Sequence, residues 1–184
     1  MRLSNFHIPC ALTSLALLAN TVAAPALADP TLNSVPSNSG PLPNTVVGGK
    51  DTDGQTLYVC TVVLSDGSVQ PGKALIVKNI WGCNFGYGGQ EIRSVNFPPS
   101  GYIGVGQGVQ YKYVQAGQFP PSTTWFRPYQ YDSNGSTIYY CNAQYGSSTH
   151  PGKAVLANGQ WGCNFGYGGK EIRVTSNFNY LWVS

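Results

Sequence analysis

The sequence predicts an all-β fold, in which two tandem antiparallel β repeats form one pseudo-two-fold domain. Three observations carry that prediction. A thirteen-residue stretch, WGCNFGYGGQEIR at 81–93, returns as WGCNFGYGGKEIR at 161–173, with only Gln90 exchanged for Lys170. Repetition this long marks a duplication, so a site in one copy should have a counterpart in the other. The chain also carries 23 Gly and 13 Pro, which suit short strands and tight turns. Finally, no run of twelve residues combines a helical period with freedom from Gly and Pro.

In chain order, the first segment reads as an address. Met1-Arg2 opens a basic start, an apolar run follows through Ala11–Leu18, and Ala26-Leu27-Ala28 offers a small-x-small cleavage site. Residues 1–28 are thus expected to be a signal peptide, with a mature chain beginning at Asp29. The apolar run is too short to span a membrane, and no later segment is apolar for long enough. Residues 29–44 hold four prolines and no apolar periodicity, which predicts an extended leader outside the core.

Repeat one covers 45–97. Its expected strands are Thr56–Leu64, Ala74–Ile80 and Glu91–Phe97. The first is apolar on both faces and should be buried on both. Residues 98–124 form a connector, bounded by Pro98-Pro99 and Pro120-Pro121, with a strand at Val109–Val114. Repeat two covers 125–184, with strands at Trp125–Tyr131, Thr137–Gln144, Ala154–Ala157 and Glu171–Val183. The offset between copies is 81 before the Pro-Gly-Lys tripeptides and 80 from them onward, so repeat two lacks one residue between its first Cys and its PGK.

Cys10 leaves with the signal segment. The other four cysteines, Cys60, Cys83, Cys141 and Cys163, stand at equivalent positions. An even count in an exported chain implies disulfides. Three pairings exist, and the duplication favours Cys60–Cys83 with Cys141–Cys163. Each would close a loop of about 22 residues, worth roughly 3 kcal/mol in the chain-entropy model. A four-cysteine zinc site is the weaker reading, because no CxxC pair is present.

Ten basic and seven acidic residues give a formal charge of +3, with the basic residues scattered. That pattern offers no nucleic-acid footprint and no membrane-binding patch. A GxSxG elbow is absent, and His150, the one histidine after the signal segment, has no marked nucleophile beside it. Glu91 and Glu171 are equivalent copies that could face one cleft as a glycosidase pair. A Glu after Gly-Gly more often pairs with a nearby Lys or Arg, so no enzyme activity is expected. The stretches Asp51-Thr52-Asp53-Gly54 and Asp132-Ser133-Asn134-Gly135 resemble the start of a calcium loop but lack its later ligands. Asp53-Gly54 and Asn134-Gly135 read as type I′ hairpin turns, which leaves Asp51 and Asp132 unexplained. No metal and no cofactor are expected.

Lys73 and Lys153 each follow a Pro-Gly pair, read as a tight turn that aims the lysine. A carboxylate beside an ammonium suits vicinal sugar hydroxyls, since one accepts and the other donates hydrogen bonds. An aromatic face is the usual third element, and Trp81, Tyr87, Trp161 and Tyr167 are available.

The order of these motifs resembles the DM-nine repeat: Gly48-Gly49-Lys50-Asp51-Thr52-Asp53-Gly54, Leu57-Tyr58-Val59, Pro71-Gly72-Lys73 and Gly88-Gly89-Gln90-Glu91. The resemblance spans nearly all of 46–183. It implies an all-β mannose-binding lectin, with a homodimer as one expected assembly. It also implies that Asp51 with Lys73, and Asp132 with Lys153, hold the sugar. The sequence departs from the family at Cys60-Thr61, where Gly-Arg is usual, at Gln90, where Lys is usual, and around Asn179-Tyr180-Leu181-Trp182. The expected protein is secreted or periplasmic and binds a mannose-type glycan without enzymatic turnover. The alternatives are a structural or protein-binding surface module, or a small glycosidase.

Overall fold

The computed structural model describes residues 32–33, 40–41, 43–95, 101–103, 111–115, 130–132 and 134–183. The expected signal segment 1–28, its cleavage site before Asp29, and both proline pairs lie outside them. So does most of the expected strand Trp125–Tyr131. Among the described residues every regular element is a strand and every pairing is antiparallel.

The strands are β1 (Leu32–Asn33), β2 (Val47–Lys50), β3 (Thr56–Val63), β4 (Val69–Val77), β5 (Ile80–Tyr87), β6 (Gln90–Ser94), β7 (Gly101–Ile103), β8 (Tyr111–Gln115), β9 (Gln130–Tyr131), β10 (Thr137–Tyr145), β11 (Ser148–Ala157), β12 (Gln160–Tyr167), β13 (Lys170–Val174) and β14 (Phe178–Val183). Each repeat is a four-strand meander, β3 to β6 and β10 to β13, and the two meet where β6 pairs β13. Residues of one repeat contact the other in reciprocal pairs, which is the pseudo-two-fold symmetry expected of the duplication.

Several local expectations change. PGK is not a turn: Pro71-Gly72-Lys73 and Pro151-Gly152-Lys153 lie inside β4 and β11. Glycine is needed there because a Cβ on Gly72 would stand 2.3 Å from the Asn84 carbonyl oxygen, and one on Gly152 would stand 2.1 Å from that of Asn164. The expected strand Ala74–Ile80 is broken at Lys78-Asn79, which carries the two positive φ values of a type I′ turn. The repeated thirteen residues themselves supply β5 and β12, strands masked in sequence by glycines that interrupt the alternation. Glu171–Val183 divides into β13 and β14. The leader is not wholly free, since Leu32–Asn33 pairs with Tyr102–Ile103.

The Asp-Gly and Asn-Gly turns exist but are not type I′. Asp51 N donates to Gln55 O and Gly54 N to Asp51 O, and only the glycine has positive φ. Asp132, Ser136 and Gly135 repeat the pattern. This is the three-residue loop with a glycine bulge. The same loop closes β3 and β4 at Ser65-Asp66-Gly67, whereas β10 and β11 turn through Gly146-Ser147. That shorter turn is the residue missing from repeat two.

Both disulfides form as expected. Cys60–Cys83 and Cys141–Cys163 have Cα separations of 6.0 and 5.9 Å, within the ordinary range. Each sits in its own repeat's core, with Val62, Ala74 and Phe85 in the first and Ala143, Ala154, Phe165 and Phe178 in the second. Two such bonds point to an oxidising environment outside the cytosol.

Candidate functional site

The thirteen-residue stretch builds the floor of the site, and nearly every residue in it has a contact that explains it. Lys73, Asn84 and Arg93 stand in one row across β4, β5 and β6; Lys153, Asn164 and Arg173 form the same row in repeat two. Arg93 lies over Gly82, where a Cβ would come within 2.6 Å of its guanidinium carbon. Its Nη atoms donate to Asn84 Oδ1 at 2.8 Å and to the Ile80 carbonyl at 2.7 Å. Asn84 Nδ2 then donates to Glu91 Oε1 at 2.9 Å. Repeat two copies this chain through Arg173, Asn164 and Glu171 at 3.0 Å for each step.

The glutamates then cross the dyad. Glu91 Oε2 accepts from Gly169 N, and Glu171 Oε2 accepts from Gly89 N, both at 3.0 Å. Gly88-Gly89 and Gly168-Gly169 form type I′ turns, which present those N–H groups. The stem of Glu91 lies on Gly166 and that of Glu171 on Gly86; any Cβ there would be 2.6 Å from the glutamate Cγ. Glycine, tight turn and glutamate are therefore one interlock, made twice. Gln90 and Lys170 face each other where β6 meets β13. Two lysines there would oppose like charges, a physical reason for the single difference in the motif.

Against this floor sit the two lysines. Both are buried, at 3 % and 4 % exposure, within strands and not at the end of the expected turn. Lys73 Nζ is 3.6 Å from Glu91 Oε1, and Lys153 Nζ is 3.7 Å from Glu171 Oε1. The glutamates after Gly-Gly thus pair with lysines. Each ammonium also faces a tyrosine of the opposite repeat: Lys73 stands 5.2 Å from the Tyr167 ring and Lys153 5.4 Å from Tyr87, within cation–π range. Trp81 and Trp161 pack elsewhere, edge-on to Tyr58 and Tyr139.

One further contact crosses the repeats, and here the halves diverge. Lys153 donates to Gln70 Oε1 at 2.7 Å, and Gln70 Nε2 donates to Asp132 Oδ1 at 3.1 Å. The amide links the lysine to the carboxylate. In the first half the equivalent position is His150, whose Nδ1 is 3.5 Å from Lys73 Nζ. Its Nε2 lies 2.7 Å from Ser148 Oγ, which itself donates to the Tyr145 carbonyl. Ser148 therefore accepts from Nε2–H, and Nδ1 is left to accept from the lysine. His150 is fully buried and stacked on Phe165 at 5.0 Å. Burial, and then the Lys73 ammonium, push its pKa down from 6.5 to about 4, against the pull of Asp51 and Glu91.

Asp51 is half-buried and acts on both Lys73 and His150 through its charge. Its Oδ1 accepts from Thr52 N at 2.8 Å. Burial pushes the Lys73 ammonium down, while Glu91 and Asp51 draw it back up. Burial alone would raise the Glu91 carboxyl; hydrogen bonds from Asn84 and Gly169 and the nearby Lys73 hold it below its usual value.

The chain matches no protein-family model and no curated protein. Its fold is that of a nematode protein. The crystal structure of the nematode sperm cell motility protein MFP2B superposes with a TM-score of 0.60 at 19 % identity, covering 89 % of this chain and 50 % of that one. The chain thus spans about half of that protein's length. A likeness at this identity speaks for the architecture alone.

The structure therefore brings each expected aspartate and lysine into one neighbourhood with the expected Tyr87 and Tyr167. It adds Gln70, Asn84 and Asn164, which were not singled out, and His150, which was weighed only as a catalytic residue. Gln70 and His150 each contact the lysine of the other repeat, and Gln70 alone goes on to the aspartate. Tyr87, Tyr167, Asn84 and Asn164 complete the surroundings. The available signal was that Gln70 and His150 occupy equivalent positions just before the two PGK tripeptides.

Proposed function

We propose that this is an exported, non-enzymatic carbohydrate-binding protein with two half-sites, each taking one neutral, mannose-type residue of a glycan. The observation that carries the reading recurs in both halves: a half-buried aspartate coupled to a buried lysine, through the Gln70 amide in the second half and through charge in the first. The aspartate accepts from two neighbouring hydroxyls, and the lysine fixes the aspartate's surroundings and donates to sugar oxygens. Each half sets one ammonium against two carboxylates, Asp51 and Glu91 or Asp132 and Glu171. That balance disfavours anionic ligands and suits a neutral one. The resemblance to DM-nine lectins points to the same four residues, and to a homodimer as the assembly. Export rests on the segment 1–28 together with the two disulfides. Glu91 and Glu171 are already committed to lysine, asparagine and backbone partners, which weighs against their acting as a glycosidase pair.

The burial of both lysines favours one second reading. Their ammonium groups would then serve only to hold the repeats together, and the protein would be a structural surface module. A broad glycan array separates the two. Binding to mannose-type glycans supports the first reading, and silence across the array leaves the module.

A further inference from the structure

We infer that Asn134 is an N-glycosylation site, and that it breaks the symmetry between the two half-sites. Among all asparagines in the chain, only Asn134 begins an Asn-x-Ser/Thr triplet with a non-proline centre, Asn134-Gly135-Ser136. Such a triplet in an exported protein is an acceptor for a glycan when it lies at the surface. The inference therefore rests on the export reading.

The fold supplies the surface. Asn134, Gly135 and Ser136 are all exposed and form the loop that enters β10. Asn134 Oδ1 accepts from Ser136 N at 2.9 Å. Its Nδ2 has no protein partner among the described residues, so a substituent there displaces no hydrogen bond. The loop is closed by its own backbone, through Asp132 N to Ser136 O and Gly135 N to Asp132 O. It keeps its shape whether or not Nδ2 carries a sugar.

The reaction needs a lipid-diphosphate-linked oligosaccharide and its membrane-bound transferase. Asn134 Nδ2 bonds to the anomeric carbon, the carbon–oxygen bond to phosphate breaks, the lipid diphosphate leaves with the electron pair, and the amide gives up one proton. Repeat one has Asp53 at the same place, with Oδ1 accepting from Gln55 N at 2.8 Å. A carboxylate there cannot be modified, so only one repeat carries the glycan. Asn134 is two residues from Asp132, the carboxylate of the second half-site. An oligosaccharide on Asn134 stands at the rim of that half and leaves the Asp51 half open.

The test uses the full chain secreted by a eukaryotic cell. The medium protein is first sequenced from its N-terminus, which settles export independently. Its peptides are then weighed before and after an amidase that releases N-linked glycans. The expected result is one heavy glycopeptide, converted by the amidase from Asn134 to Asp. Asn134→Asp and Ser136→Ala should both be secreted without it. Asn134→Asp reproduces the residue that repeat one already tolerates, so folding is preserved. Secreted protein with a bare Asn134 overturns the inference while leaving export intact. A chain absent from the medium under all three sequences overturns the export reading and the inference with it.

Discussion

Lys73 and Lys153 occupy equivalent strands, face equivalent tyrosines and pair with equivalent glutamates, yet they are held differently. Lys153 has a short, neutral amide contact from Gln70. Among the described residues, the polar contacts of Lys73 are long, to Glu91 at 3.6 Å and to His150 at 3.5 Å. Duplication copied the frame, and one substitution then made the two halves respond differently to charge and to pH. A buried ammonium with a 2.7 Å acceptor is anchored; one at 3.5 Å and beyond is at the outer edge of hydrogen bonding. The surroundings of Lys73 are therefore the more responsive of the two to mutation.

The glutamates give the largest expected effect. Glu91→Ala leaves Lys73 buried and without its carboxylate, and should cost about 3 kcal/mol of stability. Glu171→Ala should cost less by about 1 kcal/mol, because Lys153 keeps its bond to Gln70. Urea unfolding of the two variants measures the difference, and equal losses would remove the asymmetry.

Acidity separates the halves next. His150 has a folded-state pKa of about 4 against 6.5 for the ordinary side chain, with Lys73, Glu91 and Asp51 as the charges around it and Ser148, Phe165 and Tyr167 as its other contacts. Its folded pKa is depressed, so the unfolded chain takes up the proton first. The stability it contributes is complete above pH 6.5 and is lost as pH falls through about 4. The loss should be about 3 kcal/mol by linkage. His150→Gln, which installs the bridge that repeat one already presents to Lys153, should flatten the profile over that window. Thermal melts at closely spaced pH values provide the readout, and an unchanged acid limb in His150→Gln would show that other groups set it.

The smallest effect lies on the dyad. Gln90→Lys would place two exposed lysines opposite each other, and should cost a few tenths of a kcal/mol. Added salt should remove that loss. A salt-independent loss would mean that the exchange between Gln90 and Lys170 has another cause.

Much of this was legible in the chain. The strong internal repeat announced two equivalent units, and the even cysteines announced the two disulfides. Asp51, Lys73, Asp132 and Lys153 could be named from residue type and position. The strand placement of PGK could not, because Pro-Gly is a turn signal unless a neighbouring strand comes so close that only glycine fits. Nor could the strands β5 and β12, since Gly82 and Gly86 break the alternation that marks a strand. Those glycines are set by contacts from Arg93, on the neighbouring strand, and Glu171, on the opposite repeat, and no local pattern encodes either. The crossing of Gln70 and His150 to the opposite lysines is likewise a property of the dyad.

The most direct test of the two half-sites is titration of immobilised mannan with wild type, Asp51→Asn, Asp132→Asn and the double variant. Asp51→Asn and Asp132→Asn alter half-buried carboxylates and leave both lysines paired with their glutamates, so the fold is kept, as circular dichroism would verify. Protein lacking the Asn134 glycan should lose part of its binding in each single variant. The double variant should lose it all, whereas each single variant should lose at most the avidity factor of roughly 10²–10⁴ gained where both sites engage one glycan. A folded double variant that binds mannan as tightly as wild type would contradict the assignment.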